Sequence, residues 1–200
     1  VISSLSIGVL ALQGSYDAHL QSLKRFSVNA RLIHHAEDLA SIDALIVPGG
    51  ESTTMLELLK KTGYFWEELQ QFVHKKPSLG TCAGAILLAS NVENPTQDCL
   101  GALDITVQRN AYGRQLQSSI HDGRCKFDDS DIELVFIRAP KIVRTGSAVE
   151  VLAEHDGSPI WVKQGQTMAA TFHPELTSNA IVYEKWLENI KPDITALLKF

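Results

Sequence analysis

Two stretches of this chain, residues 5–12 and 44–47, are almost wholly apolar, and each runs straight into a glycine turn. The turns are Gln13-Gly14 and Pro48-Gly49-Gly50. A third short segment, 78–81, leads into Gly80-Thr81-Cys82-Ala83-Gly84. Strands with one wet face alternate apolar and polar residues; strands without alternation are buried on both faces, as in parallel sheets. After each turn the period lengthens. Tyr16, Leu20 and Leu23 recur at helical spacing, as do Phe65, Leu69, Phe72 and Val73. Thr54 and Glu57 form a candidate capping box for a helix that stops near Gly63. A weaker strand is expected at 30–33 and a helix at 83–90. This alternation predicts an α/β fold with a mostly parallel sheet.

The second half has a different texture. Short strands are expected at 103–107, 134–137 and 149–153. Asp156-Gly157 reads as a hairpin turn between 151–154 and 160–163. A turn at Gln164-Gly165-Gln166 leads to a strand at 168–172. These strands are expected to be antiparallel additions to the edge of the same sheet. Val182, Trp186 and Ile190 recur at four-residue steps and predict a closing helix. The polar stretches 94–99 and 121–131 are expected loops. With 200 residues and no linker or repeat, one domain over 1–200 is expected.

The net charge of −5, with lysine and arginine scattered, argues against a nucleic-acid partner. No apolar run is long enough for a bilayer-spanning helix, and no signal peptide is expected. The three cysteines, Cys82, Cys99 and Cys125, are too few and too odd in number for a disulfide framework. They point to a reducing, cytoplasmic setting. No CxxC or HxxxH spacing suggests a metal, and no cofactor is expected.

Chemistry concentrates at Cys82. A small-x-nucleophile-x-small turn lifts one side chain above a sheet edge at the start of a helix. A thiol is nucleophilic as the thiolate, which the helix start favours. The bland alternative is a buried structural cysteine. His173-Pro174-Glu175 follows another apolar run. Proline keeps His173 extended, and residues i and i+2 of an extended segment share a side, so Glu175 is placed to orient the histidine. The alternative is a capping histidine beside a solvated glutamate. Together, Cys82, His173 and Glu175 read as nucleophile, base and orienting acid of an acyl-transfer enzyme.

Residues 48–54, Pro-Gly-Gly-Glu-Ser-Thr-Thr, join a strand to a helix. Their glycines suit backbone N–H groups turned toward a ligand, as in an oxyanion hole. A phosphate loop is the rival reading, but the Gly-Lys-Ser/Thr ending is absent; a plain turn is the third. Gln13 ends the first strand on the edge where ligands bind in open parallel sheets, or is a surface glutamine. Arg109 and Arg138 follow apolar runs and are candidates to clamp a carboxylate, or ordinary surface arginines. His19, His34, His35, His121 and His155 have no triad or ligand spacing and are taken as surface or capping residues. Cys99 and Cys125 are taken as ordinary free thiols.

The set formed by residues 48–52, Gly80-Thr81-Cys82-Ala83-Gly84 and His173-Pro174-Glu175 resembles the class I glutamine amidotransferases. Further blocks at 8–14, 48–55, 109–115, 136–140 and 172–177 are similar to the glutaminase subunits of pyridoxal 5′-phosphate synthases. The resemblance runs in order from about residue 7 to 177. It implies a three-layer α/β/α fold. It implies hydrolysis of L-glutamine to L-glutamate and ammonia through a Cys82 thioester, with His173 as acid and base and Glu175 orienting it. It implies glutamine binding by Gly50, Glu51, Ser52, Arg109, Ile137 and Arg138, and an oxyanion hole built from Gly49, Gly50 and Ala83. The implied partner is a separate (β/α)₈-barrel synthase subunit in a hetero-oligomer, which receives the ammonia. A peptide flip at Gly49-Gly50, with Gln13 facing the partner, is the expected activation device. Other readings are the glutaminase of a different amidotransferase, a cysteine hydrolase of the α/β-hydrolase type, and a silent binding module. In α/β-hydrolases the acid precedes the histidine by a wide margin, whereas here it follows at once.

Overall fold

The computed structural model describes residues 5–109, 111 and 118–192; the motif positions 110 and 112–115 lie outside it. The first half alternates as its pattern predicts. Strand β1 (Ser6–Leu10) is followed by helix α1 (Tyr16–Leu23), then β2 (Asn29–Ile33) and β3 (Ala44–Val47). Helices α2 (Ser52–Lys61) and α3 (Phe65–Lys75) precede β4 (Ser78–Thr81), which leads into α4 (Ala83–Leu88). Strands β5 (Ala89–Glu93), β6 (Leu103–Gln108), β7 (Ser118–Arg124), β8 (Asp131–Ile137) and β9 (Lys141–Thr145) follow. The chain then forms β10 (Glu150–His155), β11 (Ser158–Gln164), β12 (Thr167–Ala170) and α5 (Ile181–Ile190).

Seven strands form the main sheet in the order β10-β11-β12-β4-β3-β1-β2. From β12 to β2 all neighbours are parallel; β11 and β10 are added antiparallel. Burial on both faces explains the lack of alternation in β1 and β3. Along β3, Leu45 and Val47 face the apolar layer that contains α2, α3 and α4. Ala44 and Ile46 face the opposite layer, which contains Leu23 of α1 and Trp186 of α5. The result is helices on both sides of the sheet, an α/β/α sandwich.

Six expectations need correction. The strand at 168–172 is not an antiparallel addition: β12 pairs parallel with β4, and only β10 and β11 are antiparallel extensions. Those at 103–107 and 134–137 do not join the main sheet. The first is β6, between β5 and β9 in a three-stranded sheet; the second is β8, paired with β7. The helix at 83–90 stops at Leu88, because Ala89 turns extended and enters β5. The capping box at Thr54 and Glu57 does not form: α2 starts at Ser52 with Glu51 as its N-cap. The polar segment 121–131 is a loop only in its second part, since 121–124 continue β7. Polar residues on both faces hid that exposed hairpin.

Candidate active site

Parallel strands present their carboxyl ends along one edge of the sheet, where β12, β4, β3 and β1 deliver residues 173–175, 82–84, 48–54 and 13–14; Arg109 and Arg138 reach the same place from the ends of β6 and β8, outside that sheet. Cys82 follows β4 directly. Its backbone has φ 48° and ψ −104°, a region that residues with a Cβ avoid. The turn is held by Cys82 N–H to the Ala170 carbonyl at 2.8 Å and by Ala85 N–H to the Cys82 carbonyl at 3.1 Å. The flanking glycines are dictated by space. A Cβ on Gly84 would lie 1.9 Å from the Val47 carbonyl oxygen, and one on Gly80 would lie 2.6 Å from the Gly84 backbone. The elbow therefore presses α4 against β3 and β4.

His173 lies just beyond β12, and its N–H is tied to the Val135 carbonyl of β8 at 2.8 Å. Glu175 does not continue an extended segment, as its spacing suggested; it sits in a 3-10 turn, Pro174–Leu176. The contact still forms. His173 Nδ1 is 2.7 Å from Glu175 Oε1, which also accepts the Ser15 hydroxyl at 2.6 Å. Burial would push the Glu175 carboxyl up, but His19, His173 and Ser15 outweigh it and hold it at about 2. An ionised carboxylate only accepts, so His173 Nδ1 carries a proton and Nε2 is left for Cys82. Burial disfavours the His173 imidazolium. Cys82 and Glu175 beside it overcome that cost and raise its pKa. The Cys82 thiol also approaches the Ile137 carbonyl at 3.8 Å.

A cavity of about 220 Å³ opens over Cys82 and His173. This is smaller than the roughly 300–1,000 Å³ of clefts for drug-sized ligands, which suits a small metabolite. Every residue expected to bind substrate lines it: Gly50, Glu51, Ser52, Arg109, Ile137 and Arg138. Ala83 and Gln13 line it too. Gly49 lies against the reacting pair, since a Cβ there would be 2.5 Å from His173 Cε1. Its carbonyl accepts the Ser15 N–H at 3.0 Å. In a trans peptide the next N–H points the other way, so the Gly50 N–H faces away from Ser15. Gln13 Oε1 accepts the Glu51 N–H at 2.7 Å. Arg109 donates to the Thr53 hydroxyl at 2.7 Å, and Arg138 is held at φ 45°. A roomier groove of about 450 Å³ between residues 36–42 and 64–76 contains no nucleophile–base pair.

The sequence reading missed three residues. Ser15 bonds Glu175, and Gln97 accepts the Ser52 hydroxyl at 2.9 Å. His19, taken as a surface or capping residue, is fully buried behind Glu175. Its spacing to Leu23, four residues on and also buried, was the available signal. Cys99 and Cys125 stand apart from the site, and burial raises both thiols.

The chain is similar to known proteins over nearly its whole length. The SNO glutamine amidotransferase family model matches residues 9–191. The pyridoxal 5′-phosphate synthase subunit PdxT of Koribacter versatilis is 52% identical over 187 residues, 94% of this chain and 96% of that protein. A crystal structure described as a glutamine amidotransferase superposes with a TM-score of 0.85 at 41% identity, covering 92% of this chain and 98% of the other. A putative GMP synthase protein from Thermoplasma acidophilum shares the fold at 14% identity, with a TM-score of 0.71 over 98% of each chain. By sequence and by fold, the chain belongs to the SNO glutamine amidotransferase family.

Proposed function

We propose that this chain is the glutaminase subunit of a pyridoxal 5′-phosphate synthase, hydrolysing L-glutamine to L-glutamate and ammonia. The observation that carries the reading is the strained elbow at Cys82 beside a histidine bonded to a buried carboxylate, in a pocket lined by two arginines. The Cys82 thiolate attacks the side-chain amide carbon of glutamine. The amide oxygen becomes an oxyanion, for which the Gly50 and Ala83 N–H groups are the donors. The His173 imidazolium protonates the amine, the C–N bond breaks, and ammonia leaves a thioester. His173 then takes a proton from water, which attacks the thioester and releases glutamate and the thiol. Glu175 stays ionised throughout and keeps the imidazole in one tautomer. Arg109 and Arg138 bind the substrate carboxylate, with Gly50, Glu51, Ser52 and Ile137 shaping the rest of the pocket.

The partner is a (β/α)₈-barrel synthase subunit that receives the ammonia; the relatives named as synthase subunits support a synthase of more than one subunit. Residues 1–200 act as one glutaminase domain. Three unpaired cysteines favour a cytoplasmic setting, and no helix among the described residues is long and apolar enough to cross a membrane. The peptide between Gly49 and Gly50 is the activation switch. Turning it would break the bond to Ser15 and remove one oxyanion donor, a loss of roughly a hundred- to a thousandfold in rate. Gln13, which holds the Glu51 N–H, relays the partner's contact. Ammonia release with and without the barrel protein, at matched glutamine, tests this. The expected result is a poor glutaminase alone and strong activation by the partner, with a changed activation ratio in Gln13→Ala. Full activity of the isolated chain contradicts the switch, and no turnover in the complex contradicts the function.

A further inference from the structure

Behind the acid of the triad lies a second histidine that the reaction does not use. His19 projects from α1 and is fully buried. Its Nδ1 is 2.8 Å from the Tyr183 hydroxyl of α5. Its Nε2 is 2.9 Å from the hydroxyl of Thr81, the residue before Cys82, and 3.4 Å from Glu175 Oε2. That carboxylate oxygen is buried and has no hydrogen-bond partner among the described residues. Both bonds to Glu175, from His173 and Ser15, fall on Oε1.

We infer that His19 is a positioning residue: a neutral, Nε2-protonated imidazole that fixes the outer oxygen of Glu175, so that the inner oxygen stays aimed at His173. The proposal rests on the reading of Cys82, His173 and Glu175 as the reacting set.

Two tautomers are open to a neutral ring. With the proton on Nδ1, the Nε2 lone pair would face a carboxylate oxygen at 3.4 Å in a dry environment, which is repulsive. With the proton on Nε2, the ring donates to Thr81 and turns a positive N–H toward Oε2. Nδ1 then accepts from Tyr183, whose phenol is kept protonated by burial and by the charge of Glu175. The groups that face His19 are therefore Thr81 from β4, Tyr183 from α5, and Glu175 with His173 from the turn after β12. Thr81 and Tyr183 keep a bond to the ring in either tautomer, so the carboxylate decides: only the Nε2-protonated form turns a donor rather than a lone pair toward Glu175 Oε2.

Neutrality has a use. A charged His19 would compete with His173 for the same carboxylate and weaken the imidazolium that the reaction needs. Burial opposes that charge, and His173 adds to the opposition. Glu175 works the other way, but the net pKa of His19 still falls to about 4. The acid thus serves one imidazolium. Thr81 extends the same column to the elbow, so the strand that bears the nucleophile and the turn that bears the acid share an anchor.

The test uses the full chain with ¹⁵N-labelled histidine at pH 7, and glutamine turnover in the complex with the barrel protein. His19 should show one neutral ring protonated at Nε2. His19→Gln keeps an N–H near the Nε2 position; His19→Leu keeps bulk only. In His19→Leu, kcat should fall about tenfold, with KM for glutamine unchanged. The Nδ1 proton resonance of His173 should shift. His19→Gln should restore both. An Nδ1-protonated His19 overturns the proposal, as does a His19→Leu chain with wild-type kcat and an unmoved His173 resonance. Equal losses in the two variants, tracking stability alone, also overturn it. Absence of glutamine turnover in the wild-type complex would sink the functional reading instead, while the ring spectra would still report on His19.

Discussion

Glu175 shows how a single buried group can be charged at a net gain. Its carboxylate lies among His173, Ser15 and His19 and is held at about 2, against 4.5 for a free glutamate. The unfolded chain therefore binds the extra proton first as pH falls. The contribution to stability is complete above 4.5 and is lost as pH drops toward 2. Denaturant unfolding at pH 5 and pH 3 should show this component in the wild type and not in Glu175→Gln. The same substitution should reduce kcat less than His173→Ala does. Glutamine keeps an oxygen that accepts from Nδ1, whereas alanine removes the proton carrier, worth about 10²–10⁴-fold. Equal losses in the two variants would remove the distinction between carrier and orienter. Cys82, His173 and Glu175 were legible because turn chemistry and proline mark them locally. For His19 the spacing to Leu23 signalled burial, but its role was hidden, because nothing near it in sequence announces a partner. Thr81 and Tyr183 lie 62 and 164 residues away.

Among the elements, the elbow between β4 and α4 carries the tightest constraint. Gly84 touches the end of β3, so the nucleophile is seated by a contact between non-neighbouring segments. Gly84→Ala should cost about 3 kcal/mol or more and depress activity, because backbone rather than a flexible side chain opposes the new methyl. Gly63→Ala, at φ +59° with nothing within 4 Å, should cost only about 1 kcal/mol of backbone strain. Thermal or denaturant unfolding of the two variants checks the order; a milder Gly84→Ala would mean that the elbow is looser than its geometry. Elements buried on both faces, such as β1 and β3, were readable from their unbroken apolar runs. Strands β5, β7 and β9 were not, since their exposed residues break the period. Pairing direction was also hidden: β12 follows a hairpin from β11, yet its other edge finds β4 in parallel.

At the scale of the molecule, one edge of a seven-stranded sheet gathers residues from distant chain segments, with Ser15 and Glu175 in contact across 160 positions. The arrangement separates Cys82 from the other two thiols in chemistry as well as in place. Cys82 lines the cavity beside His173. Cys99 and Cys125 are raised by burial and lie outside it. The most direct test of the account is to treat the complex of this chain and its barrel partner with an electrophilic glutamine analogue and map the adduct by mass spectrometry. The account predicts one adduct, on Cys82, protected by glutamine and lost in Cys82→Ser, with glutaminase activity falling in step. A principal adduct on Cys99 or Cys125, or full modification of Cys82 with glutamine turnover intact, would contradict it.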